Sequence, residues 1–217
     1  MSINADQMQG RRLTVGILYP PVELARPKLT KLYATISERY PDYESFSSLP
    51  DGAILMSGPA NCIIQSARLQ LNEDLGVFQL IQEKFVDVMR IVADRLDLNQ
   101  FLQFGVKIEA TAPMKTNKQA GQFLEEALLR LSTEQLDRLG TKRAGAGLRA
   151  FVDREGAVYI LRVEPWFQDL SHVFLEVDAQ YPGSFTKLES IGEKIQRVYD
   201  YMFTDVKNFI GDLRVGK

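Results

Sequence analysis

Residues 78–114 read FQLIQEKFVDVMRIVADRLDLNQFLQFGVKIEATAPM, and a change of period inside this stretch decides the fold. Phe78, Ile81, Phe85, Val88, Met89, Val92 and Leu96 recur at helical spacing and share one face. Glu83, Lys84, Asp87, Asp94 and Arg95 fall mostly on the other. After Leu98 the period drops to two. Phe104, Val106, Ile108 and Ala110 point one way, and Gly105, Lys107, Glu109 and Thr111 point the other. An amphipathic helix that runs into a half-buried strand predicts a sheet with helices covering one face.

The flanking sequence extends this pattern. Residues 1–12 are polar and unpatterned, and are expected to form a disordered tail. Leu13, Val15 and Ile17 alternate as a first strand, which Tyr19-Pro20-Pro21 ends. Pro27 suits the first turn of a helix whose buried stripe is Leu29, Leu32, Tyr33 and Ile36. Strands are expected over 43–48, 53–57 and 62–71, with 72–76 supplying capping residues for the central helix. Beyond Met114, residues Phe123 to Leu131 suit a short helix, and Ser132 with Gln135 forms a capping box for one more turn. A glycine-rich connector, 140–147, precedes a hairpin that turns at Asp153-Arg154-Glu155-Gly156. A last strand spans 171–179, closed by Tyr181-Pro182-Gly183. Thr186 and Glu189 then make a capping box for a long helix reaching about Leu213, roughly 40 Å at 1.5 Å per residue.

Runs of strands between separated helices favour an α+β class over a doubly wound α/β fold. The expected architecture is a mostly antiparallel, curved sheet with amphipathic helices on one face and a long C-terminal helix. Residues 13–217 form one domain on this reading. A coarse repeat suggests related halves at 13–114 and 120–217.

At 217 residues the chain can bury roughly 70% of its unfolded surface, so it needs no disulfide or metal to fold. Lys+Arg 26 against Asp+Glu 28 leaves a net charge of -2, which argues against nucleic acid as a partner. Cys62 is the only cysteine and lies in an apolar strand, as a small core residue would. Its solitude fits a reducing cytoplasm. No apolar run reaches the length of a membrane span, and no signal-peptide core is present.

Material for catalysis is sparse. One histidine and one cysteine leave only a Cys62–His172 pairing from distant strands, against a core thiol and an edge imidazole. A zinc site lacks its usual four ligands. Glu164, Asp169, Glu176 and Asp178, with Glu109 and Asp153, could gather a magnesium ion. Lys107, Arg149 and Arg162 share their predicted face, however, and favour cross-strand ion pairs on an exposed surface. Lys142-Arg143 among glycines could cradle a phosphate but lacks the Gly-Lys-Ser/Thr of a Walker loop. Trp166-Phe167 after Pro165 is either a core plug or a partner-facing anchor. The candidate binding residues are therefore Lys107, Arg162, Glu164, Trp166, His172, Glu176 and Asp178. No catalytic residue, cofactor or metal is assigned.

Pro20-Pro21-Val22-Glu23, Leu96-Asp97-Leu98 followed by Gly105-Val106-Lys107, the acidic strand Phe174-Leu175-Glu176-Val177-Asp178 and the helix from Val198 to Ile210 occur in that order. Together they resemble a sporadically distributed bacterial family whose function is uncharacterised. Lys107 stands where that family has arginine, and Ile108-Glu109 where it often has an aromatic–Asn pair. The resemblance implies an α+β fold with an antiparallel sheet and helices on one face. It carries over no catalytic residue.

The expected function is that of a non-enzymatic binding or interaction protein, with a bacterial defence, stress or mobile-element module as its expected setting. Its partner would be a protein, with self-association as a further expectation and no membrane. The rivals are a small-ligand binder with a cavity between sheet and long helix, as in helix-grip folds, and a magnesium enzyme built on the carboxylate face.

Overall fold

The computed structural model describes residues 2–116, 119–129, 133–140 and 144–214. Strands β1 (Gln9–Leu18), β2 (Ser45–Leu49), β3 (Gly52–Ser57), β4 (Ala60–Gln65), β5 (Arg68–Asp74), β6 (Phe101–Pro113), β7 (Leu148–Arg154), β8 (Ala157–Pro165) and β9 (His172–Phe185) form one nine-stranded sheet. Its order is β2-β3-β4-β5-β1-β6-β9-β8-β7, and every pairing is antiparallel. Helices α1 (Arg26–Arg39), α2 (Phe78–Leu96), α3 (Ala120–Leu128), α4 (Thr133–Asp137) and α5 (Ile191–Asp200) join or follow the strands. A π-helical segment, Tyr201–Val206, continues α5 without a break into α6 (Lys207–Asp212). The α+β class and the long C-terminal helix are as the periodicities predict. Among the described residues no helix is long and apolar enough to cross a membrane.

The strand order contains a repeat. In the first half β1 leads to α1 and a meander β2-β3-β4-β5 that returns to pair with β1, followed by α2. In the second, β6 leads to α3 and a meander β7-β8-β9 that returns to pair with β6, followed by α5. The halves meet where β1 pairs with β6, about a pseudo-two-fold axis. The repeat therefore divides between α2 and β6, rather than at residue 114, because β6 opens the second half as β1 opens the first.

Alternation along each strand sends one set of side chains into a single core. Leu13, Val15 and Ile17 of β1, Leu69 and Leu71 of β5, and Phe104, Val106 and Ile108 of β6 are all buried. So are Tyr159 and Leu161 of β8, and Val173, Leu175 and Val177 of β9. The apolar stripe of α2 covers this layer. Phe85, Val88 and Val92 are fully buried, and Phe78 stacks on Tyr199 at 3.8 Å between ring centres. In the C-terminal helix the π-helical turn takes up an extra residue. Tyr201 and Met202 are both buried at this turn. Tyr201 meets Tyr159 edge-on at 5.0 Å, and Tyr159 OH lies 3.1 Å from Tyr181 OH. Tyr159, Tyr181 and Tyr201 thus pack together between β8, β9 and the C-terminal helix.

Four local expectations are corrected. Residues 2–12 are not a loose tail: Ile3 is buried and bridges Met114, Ala5–Gln7 form a 3-10 turn, and β1 begins at Gln9. The apolar Ile3 anchors the segment. The strand expected over 62–71 is two strands with a two-residue turn at Ser66-Ala67. Buried positions switch there from even (Cys62, Ile64) to odd (Leu69, Leu71), which a single strand cannot do. β9 continues through Pro182 to Phe185, since the irregular pairing with β6 tolerates a residue without an N–H. Finally, the N-cap positions are Val77 for α2 and Ser190 for α5, neither with a side-chain cap bond, so 72–76 and Thr186/Glu189 do not cap them. Asn72 is instead bonded to neighbouring strands. Leu131, Ser132, Lys142 and Arg143, on which other expectations rested, lie outside the described residues.

Candidate functional site

With α2 and α5 on one side, the centre of the other face is lined, among the described residues, by strand residues alone. This centre is built from a single register row. Gln70 of β5 faces Gly16 of β1, Gly16 faces Gly105 of β6, and Gly105 faces Gln180 of β9. The row continues outward to Ile63 on β4 and Val158 on β8. It reads Ile-Gln-Gly-Gly-Gln-Val and is nearly palindromic about the pseudo-two-fold axis. Two adjacent glycines remove the side chains at the axis of a trough of about 460 Å³, whose floor is backbone at Gly16 and is overlain by the Gln180 carboxamide at Gly105.

Carboxamides and hydroxyls line the walls. Gln103 Nε2 donates to Gln180 Oε1 at 2.8 Å, and Gln180 donates to Asp178. Opposite, Gln70 Nε2 donates to Asn72 Oδ1 at 3.0 Å, Thr14 Oγ1 donates to the same oxygen at 2.8 Å, and Asn72 donates to Asn61 Oδ1 at 2.6 Å. These bonds fix the orientation of the amides. Arg12, Arg68, Lys107, Glu109 and Asp178 complete the rim with both signs of charge.

The predicted charged face lies directly beside the trough, on β6, β9 and β8. Register puts Glu109 opposite Glu176, a like-charge pair that would be destabilising alone. Lys107 Nζ, one step along β6, bridges both at 3.3 and 3.7 Å. Arg162 completes the lattice with Glu176 at 3.0 Å and Glu164 at 2.8 Å. Five predicted residues, Lys107, Arg162, Glu164, Glu176 and Asp178, are therefore brought together as interleaved charges. The face is less exposed than expected. Glu176 is buried, because Lys107 and Arg162 lie over it from both neighbouring strands. Burial also raises the Asp178 carboxyl above its ordinary value, more than the Gln180 amide, Lys107 and Arg149 lower it. Among the described residues no group of three or more His, Cys, Asp or Glu side chains converges as a metal ion would require.

The other two predicted residues sit apart. Trp166 ends β8 and is sandwiched between the Arg11 guanidinium at 4.8 Å and the His172 ring, which meets it edge-on at 5.7 Å. His172 Nδ1 lies 2.8 Å from Asp169 and 3.0 Å from Ser171 Oγ. Two hydrogen bonds from Ser171 hold the Asp169 carboxyl below its usual value. Trp166 thus closes a strand end, while Phe167 beside it is exposed. The imidazole is engaged far from Cys62, which is fully buried on the helical side, its thiol pushed up to about 12 by burial.

Sequence reasoning missed two features. The glycine row had a signal: Gly16 and Gly105 each interrupt a strand of alternating apolar residues, which marks a close backbone approach. A polar cluster under α2 had none. Lys84 Nζ contacts Glu73 at 2.7 Å and Asp42 at 2.6 Å, and Tyr43 OH donates to Glu73 at 3.1 Å. It joins residues distant in sequence and ties α2 to the sheet. Comparison of the sequence with protein-family models and with curated proteins gives no match.

Proposed function

We propose that this protein is a non-enzymatic binding protein that holds an extended, polar segment of a protein partner across its open sheet face. The observation that carries the reading is the Gln70-Gly16-Gly105-Gln180 row. A polypeptide laid in the trough meets bare backbone at Gly16, the Gln180 carboxamide over Gly105, and further carboxamides at both sides. Each carboxamide offers a donor and an acceptor, as each peptide group does. The flanking lattice is close to neutral, so it adds polar contact without selecting a strongly charged ligand. Glycine in a strand interior costs stability, which makes two in register a feature to be explained by what approaches them. The identity of the partner decides whether the protein serves a defence, stress or mobile-element module.

A displayed library of unstructured peptides tests this reading. Peptides enriched on the wild-type protein should lose binding to Gly16→Val, whose side chain fills the trough floor. Enrichment of none, or binding that ignores Gly16→Val, would overturn it.

A further inference from the structure

Among the described residues the sheet has two free edges, and they differ. β2 is five residues long, contains Ser45, Ser47 and Ser48, and is followed by Pro50. β7 is seven residues long, contains no proline or glycine, and has β8 as its only sheet neighbour among the described residues. Unprotected edges of this kind invite a further strand.

The turn joining β7 to β8 fixes which backbone groups are available. Glu155 and Gly156 both have positive φ, at 52° and 77°, as a two-residue type I′ hairpin requires. In such a hairpin the flanking pair, Arg154 and Ala157, exchanges hydrogen bonds, and pairing alternates from there. Arg154, Val152, Ala150 and Leu148 therefore bond to β8. The N–H and C=O groups of Asp153, Phe151 and Arg149 face outward. The side chains of these same three residues are exposed on the open face, with Phe151 at 66%. The Arg149 guanidinium rests on the Phe151 ring at 5.2 Å. Among the described residues neither Arg149 nor Asp153 has an ion-pair partner within 4 Å, and Arg149 acts on Asp178 only at longer range.

The side chains are self-complementary about Phe151. When β7 pairs antiparallel with another β7 centred there, Phe151 faces Phe151, Arg149 faces Asp153, and Asp153 faces Arg149. On the other side of the strand Ala150 faces Val152, joining half-buried rims of the core. Each of the outward-facing pairs then exchanges both backbone hydrogen bonds. A slip of two residues either way sets Arg149 or Asp153 against Phe151 and loses the charge pairs.

We infer that β7 is a homodimerisation edge, on which a second copy of this chain adds antiparallel with Arg149 opposite Asp153 of its partner. The dyad stands perpendicular to the sheet, so both helical layers fall on one side and both open faces on the other. The trough, several strands away, stays open, so this inference stands independently of the peptide-binding reading.

Sedimentation equilibrium of the full chain from micromolar to near-millimolar concentration tests it. The wild type should dimerise. Arg149→Glu and Asp153→Arg, each placing like charges opposite one another twice per dimer, should weaken association about tenfold or more. The double reversal, Arg149→Glu with Asp153→Arg, should restore it. Both positions are exposed, and far-UV circular dichroism checks that each variant folds. A protein that stays monomeric, a dimer indifferent to either reversal, or a double variant that does not recover would each overturn the inference.

Discussion

Gly16→Val separates what the fold needs from what the trough needs. Gly16 lies mid-strand in β1 with Gly105 opposite, and it lines the trough. A Cβ built there meets only the Leu69 carbonyl oxygen, at 3.9 Å, which is ordinary contact. The valine methyls enter the trough beside Gly105, over which the Gln180 carboxamide already lies. Glycine costs a strand interior roughly 0.5–1 kcal/mol relative to alanine, and β-branched residues favour the pleated surface. Gly16→Val should therefore stabilise the protein by about 1 kcal/mol, which raises Tm by roughly 2–4 °C for a chain of this size. Gly52 is the control. Its Cβ would lie 2.0 Å from the Ile64 carbonyl oxygen, so Gly52→Ala must displace backbone and should cost roughly 1–3 kcal/mol, as overpacking does. Urea denaturation followed by circular dichroism reads both. A loss of stability in Gly16→Val comparable to that in Gly52→Ala would refute the claim that the trough floor is unneeded by the fold.

Three further outcomes are expected. Phe85→Ala, emptying a fully buried site on α2, should cost roughly 3–5 kcal/mol, while Leu80→Ala on the exposed face of the same helix should change little in the same titration. Asp87 is a poor comparator for that purpose, since it accepts from Tyr40 OH and pairs with Arg39. Cys62, buried and with its thiol pushed up to about 12, should react with a thiol reagent far more slowly in native than in urea-unfolded protein. Asp178 has a folded-state pKa above its unfolded value, so the folded state holds its proton more tightly. Its penalty is absent below the unfolded value, grows as pH rises through the folded value, and persists above it. Asp178→Asn should accordingly be more stable than wild type at neutral pH, with the gap closing in acid; a gap that widens on acidification would contradict the burial argument.

Most of the fold is legible wherever one face of an element is buried. The stripe from Phe78 to Leu96 and the alternation from Phe104 to Ala110 report their environments because water lies on one side only. Legibility fails where burial changes without a strong turn signal. Ser66-Ala67 has neither glycine nor proline, and only the parity switch between Ile64 and Leu69 betrays the hairpin. The extra residue in the π-helical turn is likewise hidden, since Tyr201 and Met202 would both suit a core at either phase. At the candidate site, strand parity places Lys107, Arg162, Glu164, Glu176 and Asp178 together correctly. The trough needs more than parity. Gly16, Gly105, Gln70 and Gln180 become one row only through the pairing of β5, β1, β6 and β9, and strand order is a long-range property.

Site-specific photo-crosslinking in the cells that produce the protein tests the open face most directly. A photoreactive phenylalanine analogue at Thr14, on the wall of the trough, is compared with one at Leu80, exposed on the helical face. The proposed function predicts a discrete polypeptide adduct at Thr14 that is absent at Leu80 and is lost when Gly16→Val is added. Adducts of equal yield at both positions, or none at Thr14, would contradict it.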